Sequence, residues 1–150
     1  MKNILLIALI SLGWANANFA QKKANPDVWK KLENVTFKKH FHKELGIYVD
    51  KPIFGKGVKK ISNKTVTVKG YIIPLEGYEG QTYFIFSKFP YSMCFFCGGA
   101  GPETVMEVDM VKGKKIKYTS KQITIKGKLK LNDDNIDKLM YLLVDAVQVK

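Results

Sequence analysis

Residues 64–69, Lys-Thr-Val-Thr-Val-Lys, alternate polar and β-branched positions; Gly70 then interrupts, and Tyr71-Ile72-Ile73-Pro74-Leu75 continues as an apolar run. Alternation of period two predicts a strand, and a glycine inside it predicts a bend or bulge. Residues 122–131 repeat the design, with Ile123-Thr124-Ile125-Lys126-Gly127 matching Val66-Thr67-Val68-Lys69-Gly70. The offset occurs once, so it marks a second bent strand and not a repeat architecture. Shorter strands are predicted over residues 83–87, 104–111 and 143–149, with turns at 76–81 and at Lys112-Gly113-Lys114. Upstream, Val35, Phe37 and Phe41 suggest an extended stretch. Residues 45–49 suggest another, ended by Asp50-Lys51-Pro52, before a loop at Phe54-Gly55-Lys56-Gly57. Two segments carry helical spacing instead. Val28, Trp29 and Leu32 form one face of a turn or two, with Pro26 suited to its start. Ile136, Leu139, Met140 and Leu143 fall at i, i+3, i+4 and i+7 behind the capping residues Asn132-Asp133-Asp134.

About six short, glycine-bent strands with a short helix near the C-terminus predict a mainly β protein, a small Greek-key barrel of the oligonucleotide/oligosaccharide-binding (OB) type. A β-sandwich is the alternative. Strands do not alternate with helices, which excludes a doubly wound α/β fold. With 150 residues, 46% apolar and 12% aromatic, the chain is sized for one core without staples.

The first residues change where that domain is expected to work. Met1-Lys2-Asn3, the apolar run from Ile4 to Gly13 and the small-residue exit at Trp14-Ala15 read as a secretory signal peptide. Cleavage is expected after Ala17 or Ala20, which divides the chain into a leader over residues 1–20 and a single domain over 21–150, in the periplasm or secreted. No transmembrane protein is expected after cleavage. Losing residues 1–20 removes Lys2 alone and leaves 24 lysines against 13 carboxylates, a charge of +11. All 25 cationic residues are lysine. Without the arginine fork, specific reading of nucleic acid is not expected. A diffuse field remains that suits a basic adaptor for anionic surface polymers, unless the lysines merely solvate strand faces.

Candidate chemistry concentrates in Pro90-Tyr91-Ser92-Met93-Cys94-Phe95-Phe96-Cys97-Gly98-Gly99-Ala100-Gly101-Pro102, which holds both cysteines. In an exported chain Cys94 and Cys97 read as a disulfide, as a thiolate pair gripping Zn²⁺ or Cu(I), or as a thiol–disulfide oxidoreductase centre. The following glycines oppose the helix that lowers a catalytic thiol's pKa. The only histidines, His40 and His42, alternate so that both imidazoles share a strand face. With Cys94 and Cys97 they would complete a Cys₂His₂ set, although Lys38, Lys39 and Lys43 crowd them. Tyr91, Phe95 and Phe96 make the same loop a candidate protein-binding tip. Glu103, Glu107 and Asp109 follow as a weaker acid/base candidate, and no phosphate loop, GxSxG elbow or HExxH is present.

The order of the VxGYxxPL strand at Val66 to Leu75, Tyr83-Phe84-Ile85-Phe86, the Cys97 to Val108 stretch, Ile123 to Leu129 and the terminal Leu142 to Val147 resembles an uncharacterised family of exported bacterial proteins, a domain of unknown function with an OB-like barrel. This chain departs from the pattern in Cys94 and in its glycine-rich turn after Cys97. The resemblance implies a periplasmic accessory role, beside a transport system or in metal handling, and no established enzyme activity.

Overall fold

The computed structural model describes residues 27–73 and 80–149. The expected signal peptide, Pro26 and most of the 76–81 turn lie outside them.

Five strands close a barrel. They are β3 (Thr65–Ile73), β4 (Tyr83–Ser87), β5 (Val105–Met110), β6 (Ile123–Leu131) and β7 (Tyr141–Val149), in the order β3-β4-β5-β7-β6 with β6 returning to β3. Every pairing is antiparallel except β5 with β7. The protein is therefore mainly β, a small OB-like barrel as the sequence suggests.

Gly70 is the corner at which β3 leaves β6 for β4: it pairs with Ile123, while Tyr71 already pairs with Ser87. A Cβ built on it would stand 2.4 Å from the Ser87 carbonyl oxygen and 2.9 Å from the Phe86 ring. Only a residue without one lets the strands cross so closely. Gly127 lies opposite the second irregularity, where a Cβ would come 2.8 Å from Leu143. There the register of β7 slips against both β6 and β5 around Asp145, which takes a φ of 52°. The slip is a bulge: Tyr141 and Leu143 point into the core, and after Asp145 it is Ala146 that does so.

Helix α1 (Val28–Leu32) is too short to persist alone, since nucleation costs more than one turn returns. Its Val28, Trp29 and Leu32 are buried as the spacing predicts, and Asp27 caps it by accepting the Trp29 N–H. The Trp29 indole N–H donates to the Lys69 carbonyl at 2.7 Å and its ring stacks on Phe86. The buried Tyr141 hydroxyl donates to the Leu32 carbonyl at 2.6 Å. Together these fix α1 to the barrel.

Three expectations are corrected. Pro52 does not end its strand: β1 (Val35–His42) and β2 (Ile47–Phe54) form a hairpin of eight residues a side, separate from the barrel, in which Phe37 pairs with Pro52. Among the described residues neither strand has a second neighbour, so proline's missing N–H is tolerated there. The expected loop after Phe54 contains a short helix, α2 (Lys56–Lys59), and the Asn34 side chain accepts from the Gly57 N–H.

The third correction is the C-terminal helix. Residues 132–140 form a loop. The buried Asn132 amide donates to the carbonyls of Asn135, Lys138 and Leu139 and accepts from the Asn135 N–H. A side chain that satisfies these backbone groups competes with the helical ladder. Ile136 stays exposed, and Leu143 belongs to β7.

Candidate functional site: the cysteine loop and its cleft

In an OB barrel the outer face of the second and third strands is the usual ligand platform. Here that face, on β4 and β5, is covered by the chain's own residues. Phe84 and Phe86 of β4 turn into the core, so Ile85 faces outward, and from β5 Val105 and Glu107 do the same. Cys94 is fully buried against Ile73, Ile85 and Val105, with Phe95 and Leu139 packed beside them. The first cysteine is thus a small apolar anchor.

The rest of the loop is built on that anchor. Three single 3-10 turns, Tyr91–Met93, Phe95–Cys97 and Pro102–Thr104, follow one another between β4 and β5. The Cys94 carbonyl accepts from the N–H groups of Cys97 at 3.1 Å and Gly99 at 3.3 Å. Gly98, at a φ of 74°, stops the second turn after three residues. This is the interruption that the glycines imply, and it leaves the cysteines without a helix of useful length. Pinned in this way, the loop holds Tyr91, Met93 and Phe96 outward, each more than half exposed.

Both cysteines are free thiols, with Cys97 exposed and in hydrogen-bonding reach of Cys94. Desolvation first, then the neighbouring Cys94 thiol, pushes Cys97 above its ordinary range. Lys88, the nearest cation in sequence, is drawn away to Glu33 at 2.7 Å. The thiolate therefore lacks the positive partner and helix terminus that activate a nucleophilic cysteine.

His40 and His42 do share a strand face, as their alternation predicts. They line a cleft of about 460 Å³ together with Phe95 and Pro102 of the cysteine loop and Ile136, Leu139 and Met140 of the β6–β7 loop. The imidazoles and the thiols do not converge. Among the described residues no three of His, Cys, Asp and Glu come together to hold a metal ion, so the four-ligand set does not assemble. The reason is the burial of Cys94 on β4 and β5, with Phe95 turned toward the cleft that the histidines border.

Glu107 is the residue whose position sequence reasoning misread. Named above as part of a weaker acid/base candidate on a strand face, it is only 5% exposed, and its Oε1 accepts the Leu139 N–H at 2.6 Å. It also accepts the Tyr83 hydroxyl; burial, this bond and the charges of Glu107 and Asp109 raise Tyr83 to about 12. A tyrosine held that far above neutrality is a structural donor and no base at physiological pH. Glu107 ties the β6–β7 loop to the barrel and so fixes one wall of the cleft. Its buried partner, an N–H 32 residues away, has no local sequence signal.

Neither family models, nor curated proteins, nor solved structures yield a match to this chain.

Proposed function

We propose that the protein acts after export as an accessory binding module that recognises a protein partner through the Cys94–Cys97 loop. The observation that carries this reading is the loop's construction: an apolar tip of Tyr91, Met93 and Phe96 standing exposed on a base fixed by the buried Cys94. Apolar and aromatic side chains held rigidly in water cost little further entropy on binding and are typical anchors of interfaces. The adjoining cleft, with Phe95, Leu139 and Met140 in its walls and Asp133, Asp134 and Lys138 around it, offers a receptor for an inserted side chain.

Metal handling fits this reading only as a shared site, in which Cys94 and Cys97 supply two thiolates to Zn²⁺ or Cu(I) and the partner supplies the rest. Thiol–disulfide exchange is less well supported, because the exposed thiol is shifted toward its protonated form.

Site-specific photo-crosslinking in exporting cells tests the proposal. A crosslinker at Phe96 is expected to give one discrete adduct that the Tyr91→Ser variant loses, while one at Lys117, also exposed, gives none. Equal crosslinking from both positions, or an adduct indifferent to Tyr91→Ser, overturns it.

A further inference from the structure

Six of the eleven exposed large apolar side chains among the described residues belong to the β1–β2 hairpin: Phe37, Phe41, Leu45, Ile47, Tyr48 and Ile53. The hairpin joins the hydrophobic core at its base, where Val35 pairs with Phe54 and the Phe54 ring lies 5.8 Å from Tyr141; further out, His40, His42 and Lys51 border the cleft toward the β6–β7 loop, and Lys51 stands 4.0 Å from Asp133. Beyond that pair β1 runs seven residues to His42, roughly 23 Å. An isolated two-stranded ribbon is marginal in water, and one that exposes this much apolar surface at its far end is built to be covered.

The distribution along the hairpin names the cover. Phe41, Leu45, Ile47 and Tyr48 occupy the outermost two rungs and the turn, each between 46% and 70% exposed, with the Phe41 and Tyr48 rings edge to face at 5.2 Å. Lys38 and Lys51 face each other four rungs behind the tip pair His42–Ile47, roughly 13 Å back. Lys38, Lys39, Lys51 and Lys59 line a groove of about 310 Å³ beside the hairpin base, with Asp133 the one carboxylate in its wall. From residue 35 to residue 60 there are seven lysines and two carboxylates.

From this order of exposed aromatic and aliphatic side chains at the tip, whose turn also carries Lys43 and Glu44, with further lysines behind them, we propose that the hairpin docks end-on to a bilayer surface that contains anionic phospholipid. The tip enters the boundary between headgroups and acyl chains, about 5–10 Å deep, and the lysines meet phosphate at the headgroup level. Charge decides against a second copy of the chain as the cover, because that pairing would bring two lysine-rich layers together. The tip residues Phe41, Leu45, Ile47 and Tyr48 do not line the cleft beside the cysteine loop, so the module would reach its partner while held at a membrane.

The test uses the full chain with vesicles of phosphatidylcholine, with and without phosphatidylglycerol, and reads amide hydrogen exchange peptide by peptide. A local readout separates the hairpin from any contribution of residues 1–26. Slowed exchange over residues 41–48 is expected with the anionic vesicles only, and it should weaken as salt is added. Leu45→Ser, in the turn, leaves the ring pair in place and is expected to weaken binding severalfold; Phe41→Ser with Tyr48→Ser is expected to weaken it roughly tenfold or more. Lys38→Gln and Lys51→Gln should each cost about fivefold and flatten the salt dependence. Equal protection by phosphatidylcholine alone, or no effect of the serine substitutions, overturns the proposal. So does equal protection by soluble polyphosphate, which assigns the face to an anionic polymer, or vesicle-free protection that grows with protein concentration, which assigns it to a second copy. A failure of these outcomes leaves the loop's crosslink to Phe96 untouched, so the two proposals fall separately.

Discussion

Gly70 shows how one missing atom shapes the barrel. A Cβ there meets the Ser87 carbonyl at 2.4 Å, a backbone atom that cannot swing aside, so β3 and β4 must part to admit it. Gly70→Val is expected to destabilise by about 2–3 kcal/mol, seen as a lower denaturation midpoint. By contrast Gly98 has nothing within 4 Å of the same built atom, and only its positive φ resists substitution. Gly98→Ala should therefore cost about 1 kcal/mol. The two cysteines differ as sharply. Cys97 is exposed but its thiol is pushed up, whereas Cys94 is sealed under the loop. Alkylation of the native protein is expected to modify Cys97 alone, more slowly at neutral pH than an ordinary exposed thiol and faster as pH rises. Mass measurement after unfolding should then add the second label at Cys94. Because the imidazoles do not meet these thiols, Zn²⁺ or Cu(I) titrations of the reduced chain are expected to be indifferent to His40→Ala and His42→Ala.

At the level of elements, two side chains make the long-range and the local hydrogen bonds that shape the β6–β7 loop, beside the packing of Leu139 and Met140. Asn132 satisfies three carbonyls and one N–H of the loop, and Glu107 takes the Leu139 N–H from the barrel side. Asn132→Ala strands those groups and is expected to cost about 1–3 kcal/mol, with amide exchange faster over residues 135–139 than anywhere on β3 or β4. The same loop explains why helical periodicity misled. Ile136, Leu139, Met140 and Leu143 satisfy a 3.6-residue stripe on paper, but an asparagine able to bond its neighbours' backbone gives the chain a competing local solution. Leu143 was then free to serve a strand of period two. The hairpin was misread for a related reason: Pro52 normally stops a strand, and it is admissible because among the described residues β2 has no second neighbour.

Across the whole molecule, tyrosine hydroxyls join parts far apart in sequence. Tyr141 reaches the Leu32 carbonyl, and burial first, with Glu103 behind it, raises its pKa; Tyr83 is raised to about 12. A raised pKa means that the folded state favours the protonated form. The stability contributed is fully present below the ordinary tyrosine value near 10 and is lost as pH climbs from there through about 12 and beyond. The denaturation midpoint is expected to fall in that window, and Tyr141→Phe should flatten the fall while costing about 1–3 kcal/mol at neutral pH for the orphaned Leu32 carbonyl. Lysine deprotonation over the same range is common to both proteins, so their difference isolates the hydroxyl. The sequence by itself determined the β class, the bend at Gly70, the buried face of α1, the shared face of His40 and His42, and the cysteine loop as irregular. Each of these follows from residues within a few positions of one another, where alternation, capping and glycine freedom act. Tertiary structure alone decided that Cys94 is an anchor, that the histidines lie apart from it, that Glu107 is a buried latch, and that the lysine-backed hairpin forms a sheet of its own beside the barrel. Those outcomes depend on which distant strands become neighbours, and barrel closure sets that through the burial of apolar faces summed over the whole chain.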